Sequence, residues 1–226
     1  MAGIFFLGVA GIFAACKKNN DKKPVCKIIT ATIAGAPQPY RFIYNSKGQL
    51  SRTVAGSALF AYDYAGDSVI ITREDSGRYQ ARTVATLNSL GLATNVRLYT
   101  SASGADWNNT ANEYNGEELI RSTYTSSNGV PSVSTYTWSN QNMVAQINGT
   151  DTTVYEYYTD KPILKGDYLD FTNFLQGYET IRNKNLLKSI YGELFTYDLG
   201  QNGNITTLEV TAGNSRGFID YEYECK

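Results

Sequence analysis

An alternation of period two, interrupted at short intervals by polar turns, restricts this chain more than any other feature. Phe60, Tyr62 and Tyr64 fall on one side of an extended segment, with Ala61 and Asp63 on the other. Tyr155 and Tyr157 repeat the pattern against Val154, Glu156 and Tyr158. Successive side chains of a strand point to opposite faces, so these runs specify half-buried antiparallel strands. The turns follow a common plan. Tyr44-Asn-Ser-Lys-Gly48-Gln-Leu50, Tyr64-Ala-Gly66-Asp-Ser-Val69 and Tyr114-Asn115-Gly116-Glu-Glu-Leu119 each set an aromatic before the turn and an apolar residue after it. Leu87 to Gly91, Trp138 to Met143, Tyr158 to Ile163 and Tyr197 to Ile205 are looser copies. Tyr44 and Tyr64 stand about 20 residues apart, as do Trp138 and Tyr158, a length that suits two strands and two turns. The 18 Tyr and 20 Gly, set against 5 Pro, fit strands joined by tight turns. The expected fold is all-β, an antiparallel meander of about twelve strands. A meander that long has to curl strongly, close as a barrel or fold over on itself to avoid a bare face.

One stretch departs from the alternation. In residues 167–192, Leu169, Phe171, Phe174, Leu175 and Tyr178 are spaced for a helical turn or two, and Leu186, Leu187 and Ile190 lead back to strand. This predicts a long ordered insertion packing over a sheet edge or an open end.

The first fifteen residues carry no charge and are apolar or glycine from Ile4 to Ala15. That is too short for a bilayer span, which takes about 20 apolar residues, but it fits the core of a secretory signal. Phe13-Ala14-Ala15-Cys16 resembles a lipobox, the site at which bacterial lipoproteins are cleaved and lipidated. It keeps the small pair and the Cys, with Phe13 in place of the usual Leu, and no Lys or Arg follows Met1. The resemblance implies a signal peptide over 1–15, lipidation at Cys16, a polar tether over 16–24 and one β domain over 25–226. Two or more acyl chains anchor a protein stably where one does not. Lys17, Lys18, Lys22 and Lys23 either add attraction to anionic lipid or serve as a solvated spacer.

With Cys16 consumed, Cys26 and Cys225 remain at the two ends of the β domain. In an oxidising compartment they either form a disulfide or stay as two buried thiols. The net charge of −1 implies no broad basic face, so nucleic-acid binding is not expected.

Catalytic signatures are sparse. The chain has no His, which removes Ser-His-Asp and Cys-His catalysis and His-based zinc sites. The glycines are scattered at turns rather than gathered in a phosphate-binding loop. Glu117-Glu118 and Asp167/Asp170 offer carboxylate pairs, but adjacent Glu117 and Glu118 would point to opposite faces of a strand. No catalytic residue, cofactor or metal is expected. Trp107, in the polar run Gly-Ala-Asp-Trp-Asn-Asn, is either a ligand contact or a local packing residue, and Trp138 a ligand contact or core.

The Tyr-Asn/Asp-x-x-Gly-x-Leu unit is similar to the YD repeats of Rhs-type shell proteins. The whole layout, including Asn-Lys-Asn-Leu-Leu-Lys-Ser-Ile at 183–190, resembles the DUF4595-type lipoproteins of Bacteroidota over about residues 25–226. The resemblance implies a porin-like curved sheet and an envelope location, and it carries no catalytic residues to transfer. It also implies O-glycosylation where Asp-Ser/Thr precedes a small or aliphatic residue, as at Ser68 in Asp67-Ser68-Val69 and Thr152 in Asp151-Thr152-Thr153. The expectation is an outer-membrane lipoprotein on the periplasmic side, held to the membrane by its N-terminal lipid, whose β domain binds a glycan, peptide or envelope partner. A structural or accessory subunit of an outer-membrane complex, or a carrier of an apolar ligand in a barrel-like cavity, are the alternatives.

Overall fold

The computed structural model describes residues 25–226; the signal-peptide, tether and Cys16 expectations lie outside the described residues. Sixteen strands run in chain order: β1 (Cys26–Ile33), β2 (Tyr40–Tyr44), β3 (Leu50–Ala55), β4 (Ala58–Ala65), β5 (Ser68–Asp75), β6 (Arg78–Leu87), β7 (Ala93–Tyr99), β8 (Trp107–Asn115), β9 (Glu118–Ser126), β10 (Ser132–Ser139), β11 (Asn142–Asn148), β12 (Asp151–Pro162), β13 (Asn185–Ile190), β14 (Glu193–Leu199), β15 (Ile205–Ala212) and β16 (Ser215–Cys225). Each pairs antiparallel with its sequence neighbours, and β1 pairs with β16, so the meander closes into a barrel with no free edge. An even number of up-and-down strands returns both chain ends to one rim, here named the terminal rim. The opposite rim is the far rim.

The count is sixteen where the alternation suggests about twelve. Most far-rim connections are two residues long: Gly56-Ser57, Ser76-Gly77, Gly149-Thr150, Tyr191-Gly192 and Gly213-Asn214. Such turns leave almost no polar gap between two strands, so pairs of strands read as one. Ser76 and Gly77 both have positive φ, as do Tyr191 and Gly192, the backbone sense that matches strand twist in a two-residue hairpin.

Inward positions carry Phe42, Tyr62, Val69, Ile71, Phe195, Leu208, Ile219 and Tyr221, all buried. Outward positions carry charge around much of the ring: Arg52 on β3, Asp63 on β4, Arg82 on β6, Glu113 on β8, Arg121 on β9, Glu156 on β12, Glu209 on β15 and Asp220 on β16. Several pair across neighbouring strands, as in Arg121–Glu113 at 3.2 Å and Lys188–Glu156 at 3.1 Å. Tyr158 breaks the expected parity. It packs against the core as Tyr157 does, donating to the Phe195 carbonyl and meeting the Tyr197 ring edge-on. The cause is the register shift between Tyr157 and Pro162 in the β12–β13 ladder, where β12 carries the extra residues.

Sixteen strands enclose more space than wall side chains fill. Residues 163–184, between β12 and β13, enter the lumen and occupy it. Helix α1 (Tyr168–Gln176) begins at Asp167, whose carboxylate accepts from the Leu169 N–H, and stops at Gly177 with φ of 70°. Phe171 packs edge-on against Phe42 and Tyr221, and Tyr168 lies against Phe195. Farther along, the Glu179 carbonyl accepts the Ala93 N–H and the Thr180 carbonyl accepts the Tyr114 hydroxyl. The segment thus reaches several sides of the wall, β2, β7, β8, β14 and β16 among them. The insertion expected over 167–192 to cover an edge or end is instead a plug inside the barrel. It ends at residue 184, because 185–190 is the wall strand β13.

Candidate functional site

The repeated tyrosines define the terminal rim. Tyr44 donates to the Ile28 carbonyl at 2.6 Å, Tyr114 to Ala93 at 2.9 Å, Tyr157 to Met143 at 2.8 Å and Tyr197 to Leu187 at 2.8 Å; the Trp138 ring N–H donates to Leu119 at 2.7 Å. In each case the aromatic of one hairpin bonds the carbonyl of an apolar residue near the start of an earlier strand. Five such bonds form a hoop at the terminal rim, the one on β12 coming from Tyr157 rather than Tyr158. Burial pushes the Tyr62 and Tyr155 hydroxyls up to about 12, so they remain protonated donors at neutral pH.

The plug is fixed to this hoop by polar side chains. Asp167 is fully buried, and its carboxylate accepts from the Leu187 N–H at 2.9 Å and the Tyr197 hydroxyl at 2.8 Å as well as from Leu169. Desolvation raises its pKa against those bonds. Where the plug rejoins the wall, asparagines replace the missing ladder. Asn142 accepts the Lys184 and Asn185 N–H groups, Asn183 accepts the Met143 N–H, and Asn185 donates to the Thr159 and Lys161 carbonyls. These bonds give the Asn-Lys-Asn-Leu-Leu segment its physical role.

Two concavities lie against the plug helix. The terminal-rim mouth, about 480 Å³, sits between the plug and β1–β4 and includes Lys27, Tyr44, Lys47, Tyr64, Lys165 and Asp170. Burial raises Asp170 to about 6, partly countered by the Gly166 N–H that it accepts. The far-rim cup, about 410 Å³, opens on the other side of the plug and is walled by β4–β7. Phe60, Arg73, Gln80, Thr83, Gln176 and Tyr178 line it. Beyond it the inner face of β8–β12 is polar. Ser122 donates to Asn112, Tyr136 bonds Ser122, Gln146 bonds Ser134, and Tyr155 donates to Gln146.

The sequence candidates do not converge. Cys26 lies opposite Cys225 in the closing β1–β16 ladder, and a disulfide joins them. Trp107 lies on the outer wall opposite Tyr99, with the Arg97 guanidinium 4.2 Å from its ring centre, and lines neither concavity. Trp138 points inward at the terminal rim and borders a shallow crevice with Glu117, Glu118 and Arg182. Ser68 opens β5 beside Asp67, and Thr152 is exposed on β12, well apart from it in the ring. The carboxylate pairs are engaged elsewhere. Glu117 binds Arg182, and both oxygens of Asp167 hold donors. No group of three or more metal-ligating side chains gathers among the described residues. The sequence does not single out the cup residues, although one signal is present. Arg73 shares the inward parity of Val69 and Ile71 on β5, where a charge needs a reason.

Fold and site together define a closed antiparallel β-barrel with an internal plug. A solved structure described as a porin-like protein from Bacteroides uniformis ATCC 8492 matches 87% of this chain and 98% of that chain, with a TM-score of 0.60 at 18% sequence identity. At that identity the likeness speaks for the fold. No family model matches the sequence, and no curated protein does.

Proposed function

We propose that this chain is a lipid-anchored envelope protein whose barrel stands in water beside the membrane and binds a glycan through its lumen, without catalysing a reaction. One observation carries the reading: charged residues interrupt the outer wall on most strands, among exposed apolar ones such as Ile43, Ile147 and Val154. A membrane barrel instead keeps an apolar outer band about 25 Å tall, and an Arg or Lys facing lipid at mid-depth costs roughly 2–4 kcal/mol. Arg52, Arg82 and Arg121 lie on outward positions of three separate strands, with Asp63 and Glu156 on two others. The plug fills the path that a pore would need. Tyrosine faces, amides and hydroxyls in a concave, water-open lumen suit a polyhydroxylated ligand. Cleavage and acylation at Cys16 would supply the membrane attachment that the wall does not.

The carrier alternative is less favoured, because Phe171 and Phe174 of the plug take up lumen space against Phe42. The accessory-subunit alternative has one observation in its favour, the Arg97–Trp107–Tyr99 stack on the outer wall.

The test has two parts. Membrane fractionation and fatty-acid labelling of the whole chain should give a lipidated protein that Cys16→Ala releases in soluble, folded form. That soluble variant should bind members of a glycan panel and leave planar bilayers silent. Stepwise conductance from the purified protein would sink the reading. Recovery of a stoichiometric envelope protein, with no glycan bound, would transfer the assignment to the accessory-subunit alternative.

A further inference from the structure

From the far-rim cup we infer a ligand class: a short saccharide bearing a carboxylate, clamped by Arg73. The inference rests on the glycan-binding reading and narrows it. Arg73 is solvent-exposed inside the lumen, at an inward position of β5. Its guanidinium carbon lies 5.6 Å from the centre of the Phe60 ring, its directly opposite neighbour on β4. A cation stacked on an aromatic face is held in orientation with its donors left free at the edge. Among the described residues no carboxylate forms an ion pair with it. No acidic residue lines the cup, so Arg73 carries the only charge of its wall. Asp75, two residues on, lines an adjoining depression with Arg78 at the far rim, and Gln80 stands between the two.

The rest of the cup fits a sugar. Tyr178 offers a flat apolar face for the C–H side of a ring. Gln80, Gln176, Thr83 and Thr100 offer donors and acceptors for hydroxyls. The volume of about 410 Å³ lies within the range typical of small-molecule sites. An unpaired guanidinium fork at the edge of such a surface matches a planar carboxylate with two parallel N–H···O bonds, geometry that a neutral sugar cannot use. The outer-wall Arg97 differs. It lies over Tyr99 and Trp107 on an open face, with no concavity to receive a ring.

Calorimetric titration of the whole chain, alongside its Arg73→Gln and Arg73→Lys variants, tests this. The probes are trigalacturonic acid and neutral galactotriose, with inorganic phosphate as competitor. A charge-assisted hydrogen bond contributes about 1.5–3 kcal/mol, so the acid should bind at least tenfold more tightly than the neutral sugar. Arg73→Gln should remove that preference with the melting temperature unchanged. Arg73→Lys, which keeps the charge but not the fork, should fall between them. Equal binding of acid and neutral sugar, or an acid preference surviving in Arg73→Gln, overturns the inference and leaves the glycan reading standing. Displacement of the acid by equimolar phosphate would mark a general anion site and also overturn it. If neither saccharide binds and the glycan panel is also blank, both fall.

Discussion

Gly177→Ala should destabilise the protein by about 2–5 kcal/mol, well beyond the same change at an open turn. Two costs add. Gly177 sits at φ of 70°, where an L-residue pays roughly 1–2 kcal/mol. A Cβ there would also lie 2.6 Å from Cδ1 of Tyr62. That ring cannot swing away freely. It is buried, and its hydroxyl donates to the Leu175 carbonyl at 2.8 Å and lies 3.2 Å from the Thr53 hydroxyl. Overpacking of this kind costs roughly 1–3 kcal/mol. Gly116 has nearly the same φ, 62°, and a Cβ added there would meet nothing within 4 Å, so Gly116→Ala reports the backbone cost alone. Urea unfolding of both variants, followed by tyrosine fluorescence, gives the difference directly. Truncating the ring in Gly177→Ala/Tyr62→Ala should recover the steric part and appear as coupling in a double-mutant cycle. Equal losses at Gly177 and Gly116, with no coupling to Tyr62, would mean that the helix end does not press on β4 and that the plug is not seated in the lumen.

Acid should stabilise this fold in a window where many proteins begin to weaken. Burial raises Asp170 to about 6 and raises Asp167 as well, so for these two groups the folded state binds protons more tightly than the unfolded chain. Their favourable contribution is complete below about 4 and is lost as pH rises through about 6. Urea midpoints should therefore rise between pH 7.5 and 5, and Asp170→Asn should flatten the rise; an unchanged slope in that variant would refute the assignment. Replacing Cys26 and Cys225 together by Ser opens a crosslink of sequence separation 199 and should cost up to about 5 kcal/mol in the chain-entropy view. A melting temperature indifferent to both reductant and the double replacement would show that the β1–β16 ladder closes the ring unaided.

Much of this architecture is legible in residue order, and the gaps have physical causes. Alternation around Tyr62 and Tyr155 specifies antiparallel strands because parity is a local property. The spacing of Leu169, Phe171, Phe174 and Leu175 specifies a helix for the same reason. That the helix lies inside the barrel is not local. It follows from how many strands close the ring, and that number is obscured where a hairpin turns on two residues such as Gly213-Asn214. Trp107 stands out for its size in a polar run, yet its parity on β8 places it outside, one position out of phase with Asn108 and Asn112 on the inner face. Arg73 is hidden by the opposite circumstance. It looks like an ordinary surface charge until the inward positions of Val69 and Ile71 are extended by one more pair.

Closure at the terminal rim has a mechanical meaning. Val25 and Lys226 exchange backbone hydrogen bonds, and the Cys26–Cys225 crosslink follows at once. Tension applied to the chain ahead of Val25 would otherwise open the barrel like a zip, rupturing the β1 ladders one bond after another from the pulled end. The crosslink sits at the point where that tear would start. It passes the load into β1 and β16 together, so their ladders must yield at the same time rather than in sequence. A load entering at Val25 is thereby spread across the cross-linked β1–β16 seam rather than carried by β1 alone.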